Sequence, residues 1–212
     1  MGRIFELDPL GPDGSTLYGN PTFEFEPGVT CLVGCNGAGK TTLMADIQYE
    51  LKALDIPYAR HYVHEAKQKL SYMASVSGGS AFMDYAGSVF ASEGEGISRR
   101  FQILLRDVGH FVLSECSGKE ECWVFFDSLD SGLSADMMQE IVEFLQDMVG
   151  EMRPPNLDIY AVMAVNSFEF ARAFDCLDVQ TAKHLRFDDY DDYVSFVKKS
   201  RERKEKRLEE RS

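Results

Sequence analysis

Gly34-Cys35-Asn36-Gly37-Ala38-Gly39-Lys40-Thr41 decides the fold. The octet fits G-x-x-x-x-G-K-[ST]. It stands between an apolar run, VTCLV at 29–33, and KTTLMADIQYELKA at 40–53, where Leu43, Ile47 and Leu51 recur at helical spacing. Strand, glycine-rich turn and helix in that order make half of a βαβ unit. The glycines let the backbone curl until its N–H groups converge on phosphate oxygens, and the helix N-terminus adds partial positive charge. Gly34, Cys35, Asn36, Gly37, Ala38, Gly39, Lys40, Thr41 and the following Thr42 are therefore the expected phosphate-binding residues. Lys40 is placed to reach the β and γ phosphates, and the Thr41 hydroxyl to ligate Mg2+.

Outward from this loop the pattern repeats. CWVFF at 122–126 is an apolar strand ending in Asp127, whose carboxylate would hold Mg2+ through water. Helical spacing over 135–149 is followed by a strand at 158–165, and PYARHYV at 57–63 reads as another strand. Strands alternating with helices predict an α/β fold with a mostly parallel sheet flanked by helices. Ahead of the loop, residues 16–26 alternate apolar and polar around a turn and predict an antiparallel N-terminal hairpin. Residues 71–92 are rich in Ser, Gly and Ala with weak periodicity, and 97–113 make an amphipathic helix, so about 64–113 is read as a small helical insert. Two short strand-like pieces, CLDV and HLRF, precede a helix from about 190. This divides the chain into a domain over 1–187 and a charged C-terminal helix over 188–212.

With 212 residues, 44% hydrophobic and 27% charged, the composition is that of a globular domain rather than a disordered chain. No apolar stretch reaches the roughly 20 residues of a membrane-spanning helix, and the first residues lack a secretory apolar region, so a cytoplasmic protein without membrane contact is expected. Five cysteines fall in no C-x-x-C pair and read as reduced thiols. A net charge of -13 argues against wrapping DNA over most of the surface. Residues 198–212 differ, with eight Lys and Arg against four Glu, which leaves -17 on the remainder. That tail suits nucleic-acid phosphate, a partner's acidic face, or a solvated helix of i,i+4 pairs.

GCNGAGKTT resembles the Walker A sequence of ABC-type ATPases. Asp127-Ser128-Leu129-Asp130-Ser131-Gly132-Leu133-Ser134 is similar to the Walker B and D-loop of their SMC, RecF and RecN branch. Ser92-Glu93-Gly94-Glu95-Gly96 resembles the branch's signature and stands between the two, ahead of a helix; Val76-Ser77-Gly78-Gly79-Ser80 is a decoy placed too early. In motif order the resemblance covers roughly 16–187, and with no room for a coiled coil it implies a bare ATPase head. It further implies ATP with Mg2+ as cofactors, and a homodimer in which Ser92, Gly94 and Glu95 of one chain close over the γ phosphate held by the other. Gln68 is the candidate Q-loop glutamine and metal contact, and Tyr18 a candidate for stacking on the base.

The departures matter as much. The family's catalytic glutamate is Ser128 here, its switch histidine is Asn166, and the D-loop's closing aspartate is Ser134. A hydroxyl cannot serve as base at neutral pH, and losing a general base costs about 10² to 10⁴ in rate. Lys40, Asp127 and Asp130 remain as the catalytic candidates, with Asn166 able to donate to a γ-phosphate oxygen. The sequence thus predicts ATP binding and slow hydrolysis in a dimerisation switch serving DNA maintenance, defence or a mobile element through an effector partner. The alternative is a regulatory subunit that binds nucleotide without cleaving it.

Overall fold

The computed structural model describes residues 2–8, 18–62, 104, 106–130, 133–151 and 153–209. In chain order the strands are β1 (Arg3–Glu6), β2 (Thr22–Phe25), β3 (Gly28–Val33), β4 (Tyr58–Tyr62), β5 (Glu121–Asp127), β6 (Asp158–Ala164), β7 (Asp175–Asp178) and β8 (Lys183–Leu185). The helices are α1 (Lys40–Ala53), α2 (Ala135–Val149), α3 (Phe168–Ala173) and α4 (Tyr190–Glu209). A wide π-type turn at Phe111–Glu115 ends the described part of the helix expected over 97–113.

β3, β5 and β6 are apolar along nearly their whole length because both faces of the sheet are covered. The six-stranded sheet has the order β4, β5, β6, β3, β7, β8, parallel throughout except for the antiparallel β7 and β8 pair. This is the α/β architecture, a mostly parallel sheet flanked by helices, that the sequence predicts. Side chains alternate between two cores. Cys31, Val124, Phe126 and Met163 face α2, whose Ile141, Val142, Leu145 and Met148 cover them. Leu32, Trp123, Phe125 and Val162 face the other way, onto Leu43, Met44, Ile47 and Leu51 of α1.

The antiparallel pair ahead of the phosphate loop forms between β1 and β2, with Arg3 opposite Phe25 and Glu6 opposite Thr22. Its first arm is therefore the N-terminal RIFE and not part of 16–26, where the alternation alone had placed both arms. Phe5, Phe23 and Phe25 all turn into the α1-side core, and that burial selects the pairing. Tyr18 joins them at 1% exposure, its ring edge-on to Phe23 and its hydroxyl donating to Asp46 Oδ2 at 2.6 Å. Burial, with Asp46 beside it, pushes the Tyr18 phenol well above its ordinary pKa.

The acidic run before α4 is structural. Phe187 and Tyr193 enter the α2-side core, and the Asp189 carboxylate accepts the Asp192 N–H at 2.8 Å, favouring the helix start. All five cysteines are buried free thiols. No helix among the described residues is long and apolar enough to cross a membrane.

Trp123, the chain's single tryptophan, stacks on Tyr160 with centroids 4.3 Å apart and meets Phe5 and Phe25 edge-on, locking the β1 and β2 ribbon to the main sheet. Trp123→Ala is expected to lower unfolding free energy by about 3 to 5 kcal/mol. Urea denaturation followed by far-UV circular dichroism checks this; a loss under about 1 kcal/mol contradicts the locking role.

Candidate functional site

The sheet brings three strand ends together. Leu32 of β3 pairs in register with Ala164 of β6, which pairs in turn with Asp127 of β5. The phosphate loop leaves β3 at this level, and Asn166 lies two residues past Ala164. A cleft of about 260 Å³ opens over these ends, lined by the loop from Asn36 to Thr42 together with Asp127, Ser128, Ala164 and Asn166. Ligands bind at this edge of open α/β sheets because the strands' C-terminal ends face helix N-termini there.

The loop needs its glycines. Gly34 sits at φ +149, where a Cβ would stand 2.9 Å from that of Ala38, and Gly37 at φ +73 turns the chain at the loop's tip. Lys40 opens α1 with only 9% of its surface exposed. Its Nζ donates to the Gly34 carbonyl at 2.8 Å, to Asn166 Oδ1 at 3.0 Å and to the Cys35 carbonyl at 3.4 Å. Burial lowers the Lys40 pKa, and the nearby charges, Asp130 and Asp127 among them, offset this in part. The ammonium is thus held at the centre of the cleft by neutral acceptors that a phosphate oxygen outcompetes.

Thr41 Oγ1 donates to Asp127 Oδ1 at 3.3 Å, which places a hydroxyl and a carboxylate side by side. Among the described residues no cluster of three His, Cys, Asp or Glu could hold a metal by itself. The pair fits Mg2+, a hard cation that takes one or two protein oxygens and completes its shell from phosphate and water. Asp127 Oδ2 is engaged by Arg60 of β4 at 2.9 Å.

The position after Asp127 carries no base. Ser128 lines the cleft in the left-handed region at φ +58, and its hydroxyl donates to Asp127 Oδ1 at 3.4 Å. Asp130 Oδ2 accepts the backbone N–H groups of Asn166 and, at 2.7 Å, of Ser167. It ties the loop after β5 to the loop after β6 and so aims Asn166 at Lys40.

The structure therefore brings Lys40, Thr41, Asp127 and Asn166 together around one cleft, with Asp130 behind them. Ser92, Gly94, Glu95 and Gln68 lie outside the described residues. Tyr18 is not available to stack on a base, because it is sealed beneath α1. Cys35 is 4% exposed and packs as a small core residue. Sequence reasoning missed Arg60, whose one signal is an arginine inside an otherwise largely apolar strand. It also missed Ser200 and Lys204 of α4, which bond to Cys35 and Asn36.

A family model described as an AAA domain matches residues 14–53, the segment from before β2 through α1. Among solved structures, the chain resembles the dimeric post-hydrolysis state of an ATP-binding cassette bound to ADP and Pi. The identity is 10%, with 90% of this chain and 100% of that chain covered and a TM-score of 0.46. It also resembles the ADP conformation of an ATP-binding cassette of an ABC transporter, at 12% identity, 93% and 94% coverage and a TM-score of 0.48. No curated protein matches the chain.

A bound phosphate raises the Lys40 pKa that burial lowers. Below the lowered value the lysine is charged in both states and phosphate affinity is flat. Above it the free protein must take up a proton to bind, so affinity falls as pH rises, starting below the ordinary lysine value of 10.5. Titrating a fluorescent ATP analogue with Mg2+ upward from neutral pH is expected to show this fall before the ordinary lysine value is reached. Lys40→Arg, charged throughout, is expected to bind more weakly but without the slope; an equal slope in that variant would remove Lys40 as its source.

Proposed function

We propose that this chain is a Mg-ATP-binding ATPase head of the ABC type, akin to the SMC, RecF and RecN branch, that works as an ATP-gated dimerisation switch with slow hydrolysis. The observation that carries the reading is the junction of two motifs: Lys40 and Asn166 on one side of the cleft, Thr41 and Asp127 on the other, with Ser128 where a general base would stand.

The mechanism follows from these residues. Loop N–H groups and Lys40 bind the β and γ phosphates, and Thr41 and Asp127 would hold Mg2+, which would supply neutralisation of the phosphate charge. Asn166, released from Lys40, donates its amide N–H to a γ-phosphate oxygen. Ser128 positions a water by hydrogen bonding but cannot take its proton at neutral pH. Binding outlasts cleavage, which suits an ATP-held assembly more than a motor. By the same resemblance the Ser92 loop of a second copy covers the γ phosphate, and an effector partner, in DNA maintenance, defence or a mobile element, receives the signal. The family's dimeric architecture and the cleft's opening at the sheet edge support this arrangement.

A second reading, a regulatory subunit that binds nucleotide without hydrolysing it, is favoured by one contact. Asp130, the carboxylate left as a substitute base, has an oxygen committed to the Asn166 and Ser167 N–H groups.

Steady-state phosphate release and molar mass in solution, each with and without Mg-ATP, test the proposal. Slow turnover abolished by Asp127→Asn, with a doubling of mass, is expected. Ser128→Glu restores a base and is expected to raise turnover by about tenfold or more. Tight ATP binding with flat phosphate traces in native protein favours the regulatory subunit, and unchanged mass at saturating Mg-ATP defeats the dimer switch.

A further inference from the structure

The basic C-terminal helix packs against the back of the phosphate loop, and its contacts fall on closely spaced peptide units. The Cys35 N–H donates to Ser200 Oγ at 2.9 Å, and that hydroxyl donates onward to Gln180 Oε1 at 2.9 Å. One turn along, Lys204 Nζ donates to the Asn36 carbonyl at 2.9 Å. Ser200 is fully buried, and the spacing of four puts both side chains on one face of α4. Between them Arg203 anchors the helix, bonding Asp178 Oδ2 at 2.7 Å and Gln180 Oε1 at 3.0 Å.

A trans peptide is planar and sends its C=O and N–H in opposite directions. In the Gly34 to Cys35 unit the N–H goes to Ser200 and the carbonyl to Lys40 Nζ, 2.8 Å away. In the Asn36 to Gly37 unit the carbonyl goes to Lys204, which turns the Gly37 N–H the opposite way, away from that ammonium. The carbonyl of the unit between them, Cys35 to Asn36, accepts the Ala38 N–H at 3.0 Å. Three successive peptide planes at the loop's entry are fixed, two of them by side chains 165 and 168 positions further along the chain. A phosphate cradle works through N–H groups already aimed, because none of its binding free energy then goes into ordering the loop.

We propose that Ser200 and Lys204 are positioning residues of the nucleotide site, through which α4 orients the phosphate loop and nucleotide occupancy in turn tightens α4 onto it. This rests on the nucleotide reading above. The coupling is reciprocal by thermodynamic necessity: whatever factor α4 docking adds to nucleotide affinity, bound nucleotide adds to docking. The C-terminal helix is then the element that reports occupancy to the rest of an assembly.

The test uses the full chain in native form and as Lys204→Met, Lys204→Arg and Ser200→Ala. It measures Mg-ATP affinity, the melting transition without nucleotide, and amide exchange over residues 190–209 with and without Mg-ATP. Lys204→Met is expected to bind Mg-ATP about tenfold more weakly at an unchanged melting transition, with most of the loss recovered by Lys204→Arg. Native α4 is expected to exchange more slowly once Mg-ATP is bound, and Lys204→Met to lose that slowing. Because Lys204 is only half-buried where Ser200 is fully buried, its variants fold even if Ser200→Ala does not. Native protein that binds Mg-ATP, with Lys204 variants within about twofold of it and α4 exchange indifferent to nucleotide, overturns the inference and leaves the nucleotide reading standing. Native protein that binds no Mg-ATP overturns both.

Discussion

A buried ammonium group organises this molecule. Lys40 sits at the head of α1 with almost no solvent, and an unpaired charge there would be costly. It is tolerated because β3 and β6 lie side by side in a register that sets the Gly34 carbonyl level with Asn166, so both reach the same Nζ. The neighbouring β5 then delivers Asp127 to Thr41, one residue further along α1. Slipping either strand by one residue would turn these side chains to the opposite face and fill the cleft with core residues. The hydrophobic patterning of the two cores is therefore what holds the polar site in place.

Around that charge the polar groups divide into those that hold and those that would cleave. Holding is well provided for, by the loop, by Lys40, by the Thr41 and Asp127 pair, and by Asn166. At the position after Asp127, Ser128 offers a hydroxyl and no base, and Asp130 spends an oxygen on backbone N–H groups. Ser128 and Asp130 both bear on the activation of water, and neither takes a hydrogen bond from the Lys40 ammonium.

How much of this was legible depended on whether the deciding interaction was local. The phosphate loop was read in full, because its glycines, lysine and flanking elements are contiguous. α1 and α2 begin and end where their periodicity does, at Lys40–Ala53 and Ala135–Val149. Asn166 was singled out through the resemblance, as the residue in the switch-histidine position just past a strand, and it lines the cleft. The β1 arm was not, since RIFE is too short to show alternation and its pairing is chosen by Phe5 and Phe25 meeting Trp123. Tyr18 misled for the same reason: nothing beside it in sequence shows that Asp46 takes its hydroxyl. The basic tail left phosphate, an acidic partner and solvent equally open because its contacts within the chain, Asp178, Gln180 and the loop, are neighbours only once β3 and β7 pair.

Arg60 gives Asp127 a resident counter-ion. A free metal ion approaching that carboxylate meets a group whose charge is already cancelled, so the solvated ion gains little by leaving water for it. The strand beside β5 thereby keeps the negative charge at the mouth of the cleft balanced from within the fold, so that burying Asp127 costs less than burying a bare anion.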